Sequence, residues 1–531
     1  MLASCRLMRR PLQGAAAAVM CLLAACATTI PGSHFPREMS KSVPPRDAGF
    51  THVLSNKDAK PGESAFRMLS VGLDGLAARL ELIERAEEAL DLQYYIFRDD
   101  ESGGLIAHAL LRAADRGIRI RILVDDGESV AGDERIFALA AHPKIQIRVF
   151  NPFEYRGHQP VFRAVDFILH KRRLDHRMHN KLMVADSALA LIGGRNIGDQ
   201  YFQIDPDSQF GDDDVIAYGP IVQQLSGVFD LFWNSAQAIP IAALDPRHSS
   251  ERALQTFRAV PSENQKLSAF QTELQKRLAA GVPLTGMLSR SDPLIWTTAE
   301  LLYDSPDKAD EGGNGKSRAQ IYPGIAARAA STSRELLMIT PYFVPSDAEM
   351  SLLLQERDRN VRVALLTNSL EAAPNVVAHA GYTHYRPVLL AQGIEIHEIR
   401  ALPEGVHGTG QPKRISRYGN YGLHAKLYVF DRKSLFVGSM NFDQRSKHLN
   451  TEIGLIVDSP QMAQGAAERF EALVNLRNAY TVLAGRPHGA ALRWQTERDG
   501  RVVESSREPA RSIWQRFGAR FFALLPLDKE L

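Results

Sequence analysis

An eighteen-residue frame occurs twice in this chain, as HNKLMVADSALALIGGRN from His179 and as HAKLYVFDRKSLFVGSMN from His424. Both copies read H-x-K-x4-D-x6-G-[GS]-x-N, and they start 245 residues apart. The segments ahead of them recur as well. Apolar runs with strand character lie at 90–97, 118–124 and 145–150 before the first frame, and at 336–344, 361–367 and 394–399 before the second. Matching landmarks stand 247 (Phe97 to Val344), 243 (Ile118 to Val361) and 249 residues apart (Ile145 to Ile394). A near-constant offset, kept in one order, predicts a duplicated unit. Within a unit the patterns alternate. Leu76, Leu80 and Ile83 keep helical spacing, LIAHALLRAADRG is a second helix stopped by Gly117, and IRIRILV alternates as a strand should. The expected fold class is α/β, with two duplicated lobes at 66–235 and 321–480, each a mixed sheet flanked by helices.

The remaining segments read differently. Arg6, Arg9 and Arg10 precede a short apolar stretch, Gly14 to Leu23, and Leu23-Ala24-Ala25-Cys26 follows. The stretch is shorter than the roughly 20 apolar residues of a membrane span. It resembles a bacterial lipoprotein signal, in which residues 1–25 are removed and Cys26 carries lipid. That predicts a membrane-anchored lipoprotein of the bacterial envelope, facing the periplasm. Residues 26–65 contain five prolines, Pro31, Pro36, Pro44, Pro45 and Pro61, and read as a flexible tether. Residues 236–320 read as an inter-lobe connection, with DEGGNGK at 310–316 as an exposed loop. Residues 481–531 read as a hairpin with an Asp-Gly turn, then an amphipathic helix. Its stripe of Ile513, Trp514, Phe517, Phe521, Leu524 and Leu525 suits either closing the core or lying on an anionic membrane.

Composition narrows the partners. Lys+Arg 63 against Asp+Glu 61 leaves a net charge of +2, so nucleic acid is not an expected partner. Of three cysteines, Cys5 and Cys21 fall in the removed segment and only Cys26 is left. A mature chain with one cysteine forms no internal disulfide and no thiolate metal cluster.

In a strand, His179 and Lys181 leave on one face while Leu182 and Val184 point toward a core. His424 and Lys426 repeat the arrangement, and Asn196 and Asn441 close each frame behind small residues that admit a ligand near the backbone. Brought together across a pseudo-twofold axis, two His, two Lys and two Asn form one pocket. Two ammonium groups and two amides suit the oxygens of a phosphodiester. Two imidazoles suit displacement at phosphorus, one attacking and the other moving the proton. The lysines already supply positive charge, so neither a metal nor another cofactor is expected.

These frames resemble the signature of the phospholipase D superfamily, and the likeness runs from about residue 70 to 475. The stretches 177–202, 367–386 and 438–457 are similar to the bacterial cardiolipin synthase C-like branch. The resemblance implies two phospholipase D-like lobes with the active site at their interface. Its catalytic set would be His179, Lys181, Asp186, His424, Lys426 and Asp431, with Asn196 and Asn441 on phosphate. Asp186 and Asp431 fall at turns and read more as scaffold than as proton carriers. His179 is the favoured nucleophile. Glu452 and Asp214 are expected to orient the imidazoles, with Asp212 aligned to Asn450. His379, Tyr382 and Arg386 share a helical face and are candidates for a lipid headgroup. The implied activity is phosphatidyl transfer to phosphatidylglycerol through phosphohistidine, with phosphatidylethanolamine a further candidate donor and the membrane surface a partner. Hydrolysis of phospholipids to phosphatidic acid is the alternative. An exported nuclease and a non-enzymatic scaffold rank below it.

Overall fold

The computed structural model describes residues 30–45, 59–128, 133–157, 159–205, 207–259, 269–279, 294–309, 321–404, 420–485 and 491–525. The signal, Cys26 and the DEGGNGK loop lie outside them.

The duplicated units build two large mixed sheets with one strand order. In the first, neighbours run Ser64–Leu69, Asp214–Tyr218, Leu189–Gly193, Lys181–Ala185, Ala89–Tyr94, Arg119–Asp125, Ile145–Phe150 and Ala238–Pro240. In the second they run Ala299–Tyr303, Ile453–Val457, Ser434–Gly438, Leu427–Phe430, Glu335–Ile339, Arg362–Asn368, Glu395–Ile399 and Ala479–Leu483. Three central strands of each sheet are parallel and joined by crossovers, and the hairpin of the repeated frame runs antiparallel to them. The C-terminal hairpin, Arg493–Arg498 with Arg501–Ser505, extends the second sheet. Its turn places Asp499 and Gly500 at positive φ, as a two-residue hairpin loop needs.

The lobes share a core. Leu182, Val184, Leu225 and Trp233 of the first lobe cluster with Leu337, Leu427, Val429 and Phe470 of the second. Helices Pro220–Trp233 and Pro460–Leu473 contribute to this cluster from either side. Each lobe's outer helices cover a second, separate apolar layer. The strand period explains the split: alternate residues of one strand feed different layers, as Leu182 and Met183 do.

Several expected boundaries shift. Residues 236–320 are more than a connection, because Ala238–Pro240 and Ile295–Thr297 join the first sheet and Ala299–Tyr303 the second. Residues 30–45 are packed, not a free tether. Arg121 donates through Nη1 to Ser40 O at 3.2 Å, and Arg148 donates to Glu38 O. Ser42 N donates to Asp230 Oδ2 at 2.8 Å. The buried guanidinium groups need acceptors, and this segment supplies them. Between the strands Arg119–Asp125 and Ile145–Phe150 the crossover contains a 3₁₀ segment, Asp133–Ala141. The 376–391 helix divides into Val376–Thr383 and Arg386–Ala391, where Pro387 cannot continue the first and opens the second.

Candidate active site

Each frame delivers its side chains to one end of its sheet. Lys181 pairs with Tyr94, and Leu427 with Ile339, at the C-terminal ends of the parallel strands. The frame aspartates lie at the opposite end. Asp186 and Asp431 have φ near +53° and +54° in their turns. The Asp186 carboxylate accepts N–H groups of Glu87, Glu88 and Ala89 at 2.8–2.9 Å. Asp431 likewise accepts those of Ser333, Arg334 and Glu335. They brace the start of a neighbouring strand and touch nothing at the imidazoles, which corrects their place in the catalytic set.

The two histidines are positioned across the lobe boundary. Asn420–Leu423, leading into His424, pairs in parallel with Ser208–Gly211 of the other lobe. His424 N then donates to Gly211 O at 2.8 Å. The counterpart is a parallel bridge between Met178 and Thr451, with His179 N donating to Thr451 O at 2.9 Å. The next residue on each partner segment is a carboxylate. His424 Nδ1 lies 2.6 Å from Asp212 Oδ2, and His179 Nδ1 lies 2.9 Å from Glu452 Oε2. Each Nδ1–H therefore faces a carboxylate of the opposite lobe, which leaves Nε2 of His179 with its lone pair.

Asp214 does not orient an imidazole. It pairs with Arg79 at 2.9 Å and with Arg195 at 3.3 Å, deep in the first lobe. The correction is a two-residue slip. Gly193 and Gly438 stand 245 residues apart but Asp212 and Glu452 only 240, so the first copy is five residues longer here. A shift of two keeps the same strand face, so side-chain alternation does not betray it.

The flanking small residues match their carboxylates. Ser439 Oγ donates to Glu452, while a Cβ on Gly194, its counterpart, would run into Asp212. Tyr95 meets His179 edge-on at 5.0 Å between ring centres. Tyr201 and Phe210 flank His424 at 5.1 and 5.4 Å. Asn196 Oδ1 accepts the Ile96 N–H at 3.1 Å, and Asn196 Nδ2 and Asn441 Oδ1 are buried with no hydrogen-bond partner among the described residues.

The imidazoles keep 7% and 8% of their surface, and the lysines 1% each, so a ligand reaches the ring edges but little else. Lys181 Nζ donates to His179 O at 2.6 Å, and Lys426 donates to His424 O. Burial, then Lys181 and Lys426, hold His179 well below the usual imidazole range. Burial and Lys426 bring His424 down to about 3. Burial likewise lowers both ammonium groups, Lys426 to about 8. Burial pushes Glu452 up to about 7, against the pull of Lys181. Burial also works against ionised Asp212, but His424 and Lys426 overcome it and hold its carboxyl below the usual range. Charges of both lobes thus act on one set of groups, and that set is short of an anion.

His379, Tyr382 and Arg386 are not part of it. His379 Nε2 lies 2.9 Å from Glu508, Tyr382 donates to Glu398 at 3.1 Å, and Arg386 bonds both carboxylates. Glu398 and Glu508 engage all three side chains away from the histidine pair, which removes them as headgroup ligands. Asp212, Tyr95 and Tyr201 are the site residues that sequence reasoning missed. Gly193 pairs with Asp214 and Gly438 with Gly454, so Asp212 and Glu452, each two residues earlier, are the true counterparts.

The family described as "Cardiolipin synthase, PLD-like domain" matches residues 80–233 and 325–474. Cardiolipin synthase C of Escherichia coli is 34% identical over 90% of this chain and 98% of its own. Major cardiolipin synthase ClsA of Bacillus subtilis is 24% identical over 83% of this chain and 76% of its own. A crystal structure of phosphatidylserine synthase from Haemophilus influenzae superposes with a TM-score of 0.52 at 12% identity, covering 78% of this chain and 87% of that one. That likeness speaks to the fold.

Proposed function

The chain belongs to the phospholipase D superfamily, in its cardiolipin synthase-like group, and we propose that it transfers a phosphatidyl group to phosphatidylglycerol through a phosphohistidine. The observation that carries this reading is the pair of cross-lobe contacts, His179–Glu452 and His424–Asp212, around one cluster of buried lysines.

His179 Nε2 attacks phosphorus of a donor phospholipid, and the bond from phosphorus to the headgroup oxygen breaks. Glu452 takes up the positive charge that the phosphorylated ring acquires. His424 gives its proton to the departing oxygen, releasing glycerol or ethanolamine. The same ring then removes a proton from the hydroxyl of phosphatidylglycerol, whose oxygen attacks phosphorus as the P–N bond breaks. Cardiolipin leaves, and His179 is neutral again.

The asymmetry between the carboxylates supports this division. Ionised Asp212 favours an imidazolium at His424, whereas Glu452, held near 7, asks less charge of His179. A bound phosphodiester offsets Lys181 and Lys426, which raises the proton affinity of His424 when the acid is needed. The lysines and the free Asn196 Nδ2 donate to the non-bridging oxygens. No step calls on a metal ion. Lipid on Cys26, holding the protein at the periplasmic side of the envelope, is part of the same proposal, and labelled palmitate that stays in a Cys26→Ser chain refutes it.

The test is product analysis. The protein is incubated with phosphatidylglycerol vesicles, with and without phosphatidylethanolamine, and the lipids are separated on a thin layer. Cardiolipin is expected. Phosphatidic acid alone would make it a hydrolase, and plasmid nicking without lipid turnover a nuclease.

A further inference from the structure

Two helices of this protein are amphipathic in the wrong sense for a water-soluble surface. In Ile513–Ala523 and the residues after it, Ile513, Trp514, Phe517, Phe521, Leu524 and Leu525 point outward, Trp514 78% and Leu524 83% exposed. The polar side holds the helix to the lobe: Gln515 Nε2 donates to Leu370 O at 2.6 Å, and Arg516 Nε donates to Glu508 O at 2.8 Å. Helix Pro160–Leu169 repeats this inversion. Val161, Phe162, Val165, Ile168 and Leu169 are exposed, while Asp166 is buried and Arg163 turns inward to Asp126 O.

The two helices occupy corresponding places. Arg163 is tied to the loop after strand Arg119–Asp125, and Gln515 to the loop after its counterpart, Arg362–Asn368. Both loops leave the C-terminal ends of the parallel strands, the ends at which Lys181 and Lys426 stand. Two exposed apolar stripes thus flank the active site, one from each lobe. Basic residues accompany both, Lys171 and Arg172 after the first helix and Arg520 on the second, all exposed. No helix among the described residues is long and apolar enough to cross a membrane.

We propose that these two helices form one docking surface for an anionic phospholipid bilayer, and that they set the active site against the lipid headgroups. The apolar stripes enter the boundary between headgroups and acyl chains, with Trp514 at that level, while the basic residues meet lipid phosphates. This deepens the proposed transfer reaction and rests on it for the substrate, but the docking is measurable without turnover.

The test uses the full chain carrying Cys26→Ser, so that no lipid anchor contributes. Trp514 emission is followed on adding phosphatidylglycerol vesicles and phosphatidylcholine vesicles, alongside flotation. We expect a blue shift on phosphatidylglycerol vesicles that disappears in Trp514→Phe. The paired variants Phe162→Asp with Ile168→Asp, and Phe517→Asp with Phe521→Asp, alter exposed residues only. Each pair should weaken vesicle binding about ten-fold or more. Turnover of a monomeric short-chain phosphatidylglycerol should stay within about two-fold of the parent. Unchanged vesicle binding in both pairs overturns the proposal. So does a dimer in sedimentation that both pairs dissociate without loss of vesicle binding, since the surface then belongs to a second copy. A blue shift without turnover of any lipid leaves the docking standing and defeats the transfer reaction instead.

Discussion

His179 Nδ1 lies 2.9 Å from Glu452 Oε2, although the two residues are 273 positions apart and sit on different lobes. The reciprocal contact, His424 to Asp212, makes each imidazole depend on the other half of the chain. Neither lobe alone holds an oriented histidine. Duplication and catalysis are therefore one structural fact.

Asp212→Asn and Glu452→Gln should each lower kcat by about a thousand-fold or more while leaving KM within a few-fold, because the amide cannot hold the imidazole tautomer and its charge. Asp214→Asn should behave differently. It leaves Arg79 and Arg195 buried without their carboxylate, so it should lower stability by about 3–5 kcal/mol in denaturant melts. A kcat-only defect in Asp214→Asn would contradict the assignment.

The frames, the hairpins and the repeat were legible from the sequence because each rests on a local period. Lys181 and Leu182 alternate between site and core as the strand period demands. Asp212 was not legible. Its rival Asp214 lies two residues on, on the same strand face, and only the pairing of Gly193 and Gly438 with their neighbours fixes the register. Residues 30–45 carry no period at all. Their order comes from acceptors that Arg121 and Arg148 require, a relationship across some 80 to 110 residues. The C-terminal helix showed its stripe in the sequence but not which way the stripe faces, since that depends on Gln515 finding Leu370 O.

Asp186→Ala and Asp431→Ala should each cost about 1–3 kcal/mol of stability, because three backbone N–H groups lose their acceptor. The folded fraction should keep kcat within a few-fold. A loss as deep as that of His179→Ala, in protein that melts normally, would return these aspartates to the chemistry.

Gly194→Ser copies the residue found at 439, yet it should abolish most activity. The new Cβ meets Asp212, whereas Ser439 has a longer Glu452 opposite it. Circular dichroism should stay native while turnover falls. Wild-type turnover would show that Asp212 has room to move and does not fix His424.

Acid should weaken both fold and activity. The unfolded chain protonates His424 near 6.5 and the folded protein only near 3, so between these values the unfolded state binds more protons and stability falls as pH falls. Glu452 has the opposite sign: raised to about 7, it adds stability below its unfolded value near 4.5 that is lost as pH rises toward 7. The two oppose each other between about 4.5 and 6.5, so the net loss of stability in acid should emerge below about pH 4.5, where His179, Glu395 and Glu508 add to the His424 slope with the same sign. Turnover should rise with pH through about 7 as Glu452 ionises, and Glu452→Gln should lack that limb. EDTA should leave the whole profile in place.

The most direct measurement is capture of the covalent enzyme. A phosphatidyl p-nitrophenyl ester labelled with phosphorus-32, whose leaving group needs no proton from His424, is mixed with the His424→Ala variant, the mixture is quenched in base, and the labelled peptide is sequenced by mass spectrometry. Label on His179 is the predicted result, stable to base and lost in acid as a phosphoramidate is. Label at another residue, or active protein that forms no phosphohistidine and still turns over lipid after His179→Ala, would contradict two imidazoles acting on one phosphorus.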